Sequence, residues 1–573
     1  MIDLSSKSPT AQICHLAFDV AMLKGSRRRN GSQASCEPCR KRKTRCDHQK
    51  PKCTNCQRRG LDTQCWYHPA PLSKQQITEK SKNLRSLPQQ DLEPGRPVQG
   101  VFARNDTARL TTSTKDSHRQ SRSSGSPKPY GAASLSVTHT CPESTVFNEH
   151  QLVAREIVSQ LQYLPLIAEH VRKYLAVTQS SLVPRTIISR LVEAIPSGLE
   201  NLDPLNSDTT RQLDNARDFA RRMIDVSSTS IAITPSLTVD DFIGLFCGEN
   251  LRVETLGLLC TIALRSYIYH DGNNDKHGGF VQKMIHCSNS CLQLARELSP
   301  EMNDVIVWLA QENVQLSSVV DGVASLGVWR RVSSLVMDVS SLSLHRETHH
   351  CNEKMPFYLS ESRRKTLAVT FHIDKVSAST FNRPPCLPAL YVDCRLPIDI
   401  SEEDLFSPTA QTKDAVRHLV SSDGWGLDQG YRSTTWARIR FILAEYWEEV
   451  VEHEYRSVHG HKYDRLQDLS RRYQDAWDTL PSYLRYTDAV WDSDLSSEIC
   501  FLLGKTYLSY LHIRHRIGRM LEACDASHRS ELLEVSATIL ATGTAIGKAR
   551  NRAYFLDRDI PGVVCIRVFE TCE

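Results

Sequence analysis

Six cysteines within thirty residues are the part of this sequence whose type and spacing could do chemistry. They are Cys36, Cys39, Cys46, Cys53, Cys56 and Cys65, in the pattern C-x2-C-x6-C, six further residues, and then C-x2-C-x8-C. The two halves are an internal repeat of one unit. Thiolate is a ligand that zinc prefers, and a tetrahedral site needs four ligands. Each half offers three, so two zinc ions both reach four ligands only if two cysteines bridge them.

Two alternatives to a two-zinc cluster remain open. A knot of three disulfides needs an oxidising compartment, but residues 11–23 lack the basic start and the small-residue cleavage pattern of a secretion signal. A single zinc ion with two idle cysteines is the second alternative. The remaining 13 of the 19 cysteines have no recurrent spacing. We interpret them as small buried hydrophobic residues, as free cysteines in cores usually are.

A basic segment lies inside the first half of the cluster. Arg40-Lys41-Arg42-Lys43-Thr44-Arg45 places five basic residues in six positions. Residues 25–70 carry a formal charge of +9, and residues 1–130 carry +15 against −11 for residues 131–573. This positively charged N-terminal region is suited to bind the phosphate backbone of a nucleic acid, because binding releases the cations condensed on the nucleic acid.

The elements that must position these residues are short. A C-x2-C pair on the first turn of a short helix points two sulfurs at one place, and a third cysteine returns after a loop. The sequence therefore predicts a small two-zinc, six-cysteine cluster module with two short helices. After Tyr67 the composition changes, and 22 of the 50 residues from Asp91 to Thr140 are Ser, Thr, Pro or Gly. That composition predicts a flexible linker or a disordered segment.

From about Asn148 onward the apolar residues recur at helical spacing. One series is Val153, Ile157, Leu161, Leu164, Ala168, Val171 and Leu175, with a kink expected at Pro165. Others are Val328, Val332, Leu335, Val339 and Leu342, and Trp436, Ile439, Leu443, Tyr446 and Val450. Convincing alternating strands are absent from the sequence, so we predict a large all-α domain.

The cysteine module resembles the fungal binuclear zinc-cluster (Zn2Cys6) transcription regulators. The matching residues are Cys36-x2-Cys39-Arg40-Lys41-Arg42-Lys43-Thr44-Arg45-Cys46 and Lys50-Pro51-Lys52-Cys53-x2-Cys56. The resemblance implies that Cys36 and Cys53 bridge the metals and that Pro51 shapes the loop between the halves. It also implies that the first helix enters the major groove at a CGG-like triplet, with Lys43 at the base edges and Arg42 beside it. The remaining basic residues are expected to contact phosphates: Arg40, Lys41, Arg45, Lys50, Arg58 and Arg59.

The helical part resembles, more loosely, the middle homology regulatory domain that accompanies such clusters. The matching segments are Leu342-Ser343-Leu344-His345-Arg346, Glu361-Ser362-Arg363-Arg364-Lys365, Asp374-Lys375, Asn382-Arg383-Pro384-Pro385 and Trp477-x2-Leu480-Pro481-x2-Leu484. Thr366 and Leu367 stand where the family usually has tryptophan, and Asn382 replaces its usual glycine. Two arrangements remain open for the charged residues Glu361, Arg363, Arg364 and Asp374: a buried ion-pair network or a solvated helix face.

No catalytic constellation emerges from the sequence. His345 and His349 are four residues apart, as in zinc proteases, but Glu347 sits one place too late for that chemistry. Gly543-x3-Gly547-Lys548 fails the phosphate-loop pattern. We assign no catalytic residue and expect the protein not to be an enzyme. No apolar run approaches the roughly 18 residues of a membrane-spanning helix.

These observations predict four regions and one function. The regions are residues 1–30, a disordered extension; residues 31–70, a Zn2Cys6 DNA-binding domain; residues 71–147, a largely disordered linker; and residues 148–573, an all-α regulatory domain. The apolar run just before the C terminus indicates either a shortened final helix or an imperfect gene model. The function is that of a nuclear, sequence-specific factor for RNA polymerase II transcription, with two Zn²⁺ ions, double-stranded DNA and the transcription machinery as partners. The family commonly controls fungal metabolic pathways, many of them secondary-metabolite gene clusters.

Three points stay open. A zinc-stabilised protein-interaction module without its own sequence-specific DNA contact is the alternative function. The apolar series Ile77, Leu84 and Leu87 ends at Pro88 after less than two heptads, too short for a coiled coil. A monomer and a homodimer formed through the large domain are therefore both open, and the sequence identifies no small-molecule effector.

Overall fold

The computed structural model describes residues 35–42, 44–49, 52–60, 65, 143–195, 209–270, 279–350, 354–408, 412, 414–455 and 462–549. The predicted N-terminal extension and most of the predicted linker lie outside these residues. Internal contacts divide the chain into two units, Met1–His139 and Thr140–Glu573. The four predicted region boundaries stay predictions. The predicted fold class is confirmed: a cysteine module with short helices precedes a large helical domain, with no strand among the described residues.

The first unit contains two five-residue helices, α1 (Glu37–Lys41) and α2 (Thr54–Arg58). Helix α1 begins directly after Cys36 with Glu37 and Pro38, and both residue types are favoured in a first helical turn. Cys53 caps α2, because its sulfur accepts the N–H of Cys56 at 3.4 Å. Each helix thus starts at the first cysteine of a C-x2-C pair, as the spacing predicts.

The second unit is built from fifteen described helices. They are α3 (Glu143–Ser159), α4 (Leu164–Val177), α5 (Arg185–Ala194), α6 (Thr209–Ser227), α7 (Val239–Gly244), α8 (Val253–His270), α9 (Phe280–Leu298), α10 (Asp304–Asp321), α11 (Leu326–Ser341), α12 (Phe357–Phe381), α13 (Glu402–Leu405), α14 (Ser433–Tyr455), α15 (Lys462–Asp478), α16 (Ser497–Glu522) and α17 (Arg529–Ala549). No helix in the described ranges has the length and apolarity needed to cross a bilayer.

Several helix starts are set by polar caps. Asn303 accepts the N–H of Ile306 before α10, Ser325 accepts that of Val328 before α11, and Ser496 accepts that of Ile499 before α16. Each cap satisfies a backbone donor that the first helical turn leaves without a partner. Helix α11 buries the residues that the apolar periodicity singles out, with Val328, Val332, Leu335 and Val339 all in the core.

The kink expected at Pro165 is instead a break between two helices. Helix α3 ends at Ser159, a 3-10 turn spans Gln160–Tyr163, and α4 begins at Leu164. Pro165 therefore lies in the first turn of a new helix. A proline is tolerated there because the N–H that it lacks would have had no helical partner.

Two large hydrophobic clusters and one small one form the core of the described part of the helical domain. The first is drawn mainly from α3–α12 and surrounds α8, which is buried on nearly all sides. Helix α8 lies very close to α9 and α10, because a Cβ atom at Gly257 would come within 2.5 Å of the Cys291 Cβ atom and 2.7 Å of a Leu309 methyl carbon. The second cluster, from α14–α17, is rich in aromatic rings, among them Trp477 stacked on Tyr510 with centroids 4.3 Å apart.

Helix α12 carries a network of buried charges. Arg363 binds both carboxylate oxygens of Asp304, at 2.7 and 2.8 Å. Arg364 pairs with Glu361 at 2.5 Å and with Glu347 at 2.7 Å. The charged residues of α12 at positions 361, 363, 364, 374 and 375 are all buried. Of the two arrangements left open by the sequence, the ion-pair network is the one formed, and the solvated helix face is wrong.

Candidate metal centre and nucleic-acid interface

The six cysteines of the repeat converge in the first unit, and all are buried. The Cys36 sulfur lies 3.6 Å from that of Cys53 and 3.7 Å from that of Cys56. The Cys39 sulfur lies 3.7 Å from that of Cys53 and 3.9 Å from that of Cys56. None of the six is in a disulfide bond, and the separations exceed the roughly 2.05 Å of such a bond. The three-disulfide alternative does not fit this geometry.

The sulfur separations suit a tetrahedral zinc site. With Zn–S bonds of about 2.3 Å, two sulfurs of a tetrahedron lie about 3.8 Å apart. Two groups of four have all their sulfurs within 4.8 Å of one another: Cys36, Cys39, Cys46 and Cys53 form one, and Cys36, Cys53, Cys56 and Cys65 form the other. Both groups contain Cys36 and Cys53, the two cysteines that the resemblance assigns as bridges.

The protonation of the thiols also depends on a cation. Burial raises the pKa of the Cys36 thiol and raises that of Cys56 to about 12. Burial has the same effect on Cys53, but the N–H of Cys56 and the neighbouring thiols outweigh it and lower its pKa to about 7. Cys36 and Cys56 therefore need a nearby positive charge to ionise at neutral pH. A thiolate-binding metal would supply that charge, and its binding would release their protons.

Polar side chains that the sequence does not single out as functional join the two halves of the module. Asp47 follows Cys46 directly, and its carboxylate accepts the N–H of Thr54 at 3.1 and 3.2 Å. This hydrogen bond holds the first turn of α2. The side chain of Thr54 and, to a smaller extent, this N–H lower the pKa of Asp47. The Asn55 amide reaches back to the first half, where it contacts the Arg45 carbonyl oxygen and the Cys39 sulfur. The only sequence signal for these roles is a short polar residue next to a cysteine.

The basic residues of the module face solvent wherever the structure describes their side chains. Lys41, Arg42, Arg45, Arg58 and Arg59 are all exposed. Within the described part of the chain, none of these five forms an ion pair with a carboxylate, so their charges are available to an external polyanion. The side chain of Arg40 and the whole of Lys43, Lys50 and Pro51 lie outside the described residues. The roles expected of these four stay predictions.

Comparison with known proteins identifies this arrangement. Residues 34–74 match the family described as "Fungal Zn(2)-Cys(6) binuclear cluster domain". The chain therefore contains a zinc-cluster domain of the Zn2Cys6 class, which is typical of fungal transcription factors. DNA binding and zinc binding follow from this domain and its cysteines, and the class implies a role other than catalysis.

A curated relative extends the similarity beyond the Zn2Cys6 domain. It is the "Pyrrolocin cluster transcription factor fsdR" of Fungal sp. (strain NRRL 50135), which is 20% identical over 575 aligned residues. The alignment covers 87% of this chain and 71% of the relative. It therefore includes much of the helical domain as well. No solved structure matches the chain.

Proposed function

We propose that this Zn2Cys6 protein binds two zinc ions and uses the folded module to recognise CGG-type elements in double-stranded DNA. The observation that carries the proposal is the pair of four-sulfur groups that share Cys36 and Cys53. Six thiolates serve two tetrahedral sites only through such sharing. The zinc ions are structural: they hold α1 and α2 together, because a module this small buries too little apolar surface to fold without them.

The DNA contacts divide into two kinds. Lys43, with Arg42 beside it, reads base edges in the major groove, where guanine presents the O6 and N7 acceptors. Arg40, Lys41, Arg45, Lys50, Arg58 and Arg59 contact phosphates, which set register and affinity. The exposure of Lys41, Arg45, Arg58 and Arg59 supports the second assignment. We assign no catalytic step to the protein.

The helical domain is the regulatory part in this proposal. The factor acts in the nucleus on RNA polymerase II transcription, with residues 31–70 binding DNA and residues 148–573 contacting the transcription machinery. The printed name of the similar fungal protein, a pyrrolocin cluster transcription factor, supports a role in the expression of a secondary-metabolite gene cluster. Whether the factor binds one half-site as a monomer or two as a homodimer is decided by the experiment below.

The test is fluorescence anisotropy of the full-length chain on labelled duplexes that carry no CGG triplet, one triplet or two triplets. Each duplex is titrated across a salt series, with zinc and after chelation. We expect zinc-dependent preference for CGG, with a logarithmic salt slope of about −0.9 per neutralised phosphate. Tighter binding to two triplets than to one would indicate a dimer. Equal binding to all duplexes, or binding that survives chelation, would contradict the proposal and favour the interaction module.

Two variants distinguish contacts to DNA bases from contacts to DNA phosphates. Lys43→Ala should cost about 1–3 kcal/mol of discrimination between CGG and an altered triplet, because it removes a base contact. Arg58→Ala should weaken binding to all duplexes by the same factor and reduce the magnitude of the salt slope by about 1. Both are measured by anisotropy at matched zinc content. A Lys43→Ala variant that loses the same affinity for every duplex would show that Lys43 contacts phosphate instead.

A further inference from the structure

Asn55 connects the second half of the module to the first through one amide group. Its Nδ2 atom donates to the backbone carbonyl oxygen of Arg45 at 2.9 Å and to the sulfur of Cys39 at 3.7 Å. Asn55 is the second residue of α2, directly before Cys56. The residues that it contacts belong to the first half, where Arg45 ends the basic segment 40–45.

The chemistry of the two acceptors supports the orientation of this amide. A carbonyl oxygen and a thiolate sulfur are both acceptors, so the group between them must be the NH2 end of the side chain. The reversed amide would place its oxygen against both and lose both hydrogen bonds. Asn55 has two N–H bonds, one for each acceptor.

Other sulfurs of the cluster receive hydrogen bonds from the backbone. The N–H of Cys56 donates to the Cys53 sulfur at 3.4 Å, and the N–H of Cys53 donates to the Cys65 sulfur at 3.3 Å. Among the described residues, Asn55 supplies the side-chain amide contact to a cluster sulfur, and its acceptor Cys39 belongs to only one of the two four-sulfur groups. Asn55 can therefore be substituted without removing a metal ligand or a backbone donor.

We propose that Asn55 is a positioning residue that couples the two halves of the zinc cluster, holding the Cys39 thiolate and the end of the basic segment against the second half. Its hydrogen bond to the Cys39 sulfur stabilises the negative charge of that thiolate. Residues that hydrogen-bond to a metal ligand in this way orient the ligand. The hydrogen bond of Asn55 to the Arg45 carbonyl sets where the basic segment lies. The second effect rests on the proposed DNA-binding function, whereas the first does not.

Zinc release from the full-length protein to a chromogenic chelator tests the first effect. The variants are Asn55→Ala, which removes both donors, and Asn55→Asp, which has nearly the same shape but presents only acceptors. The matched control is Gln57→Ala, an exposed position on the same helix. We expect release about 10-fold faster for Asn55→Ala, as for other outer-shell changes, and faster still for Asn55→Asp. Gln57→Ala should release zinc at the unsubstituted rate.

The relative zinc-release rates of the two Asn55 variants distinguish coupling between the halves of the cluster from a role confined to helix α2. An acidic residue in a first helical turn is favourable, so a role confined to α2 predicts that Asn55→Asp holds zinc at least as well as Asn55→Ala. Release from Asn55→Asp at or below the rate of Asn55→Ala would overturn the proposal. If either variant retains too little zinc to measure release, the zinc content at equilibrium gives the same order.

DNA affinity measured on the same samples tests the second effect. We expect Asn55→Ala, loaded with zinc, to bind its preferred duplex about 10-fold more weakly, with an unchanged salt slope because no phosphate contact is lost. Unchanged affinity alongside faster zinc release would overturn the coupling to the basic segment. If the unsubstituted protein shows no duplex preference, the DNA-binding proposal fails, but the order of zinc release still decides the role of Asn55.

Discussion

Replacing Cys53 by serine should remove both zinc ions and reduce specific DNA affinity roughly 1000-fold, to the nonspecific level. Cys53 belongs to both four-sulfur groups, so its loss leaves neither group complete. Cys65→Ser should be milder in zinc content, because the group formed by Cys36, Cys39, Cys46 and Cys53 stays intact. We therefore expect at least one zinc ion per chain in Cys65→Ser and less than one in Cys53→Ser.

The measurement is elemental analysis of zinc per chain after dialysis, followed by anisotropy on the preferred duplex. Cys524→Ser is the matched control, because Cys524 is an exposed free thiol in the helical domain. The interpretation of every cysteine outside the repeat as buried is wrong for Cys524 and Cys386, which are both exposed. The Cys524→Ser variant should keep the zinc content and DNA affinity of the unsubstituted protein. Equal zinc contents in Cys53→Ser and Cys65→Ser would contradict the sharing of Cys53. A single zinc ion in the unsubstituted protein would favour the mononuclear alternative.

Replacing Arg363 by methionine should destabilise the helical domain by about 3–5 kcal/mol, because it leaves Asp304 buried without its counter-charge. The two side chains are only 10% and 4% exposed and share two hydrogen bonds. The loss is measured from denaturant unfolding of the full-length chain, followed by its helical circular dichroism. Adding Asp304→Asn to Arg363→Met should recover part of the stability, because the unpaired charge is then removed.

An exposed ion pair of the same type provides the control for Arg363. Arg471 pairs with Asp468 on α15, where the side chains are 69% and 47% exposed. Arg471→Met should cost less than about 1 kcal/mol, because solvent screens the charges of surface pairs. If Arg363→Met costs as little as Arg471→Met, the Arg363–Asp304 pair is not shielded from water as its burial indicates.

Much of the fold could be predicted because its signals are local. Helical periodicity is repeated at every turn, so α11 and α14 follow from the spacing of residues such as Val332 and Leu443. The break before α4 was harder to predict, because Pro165 suits both a kink and a first helical turn. The close packing of α8 against α9 and α10 could not be predicted, since apolar spacing shows which face is buried and not what covers it.

The six-cysteine repeat by itself indicated a thiolate metal site in the first unit, because the number and spacing of thiolate ligands limit the metal sites that they can form. The sequence also shows directly that the segment between Cys39 and Cys46 is basic. Only the tertiary structure decided that Cys36 and Cys53 belong to both four-sulfur groups and that Asn55 reaches Cys39 from the other half. It likewise decided that Arg363 meets Asp304, 59 positions away in the chain. Such contacts depend on how distant segments pack, and local sequence patterns carry no information about that packing.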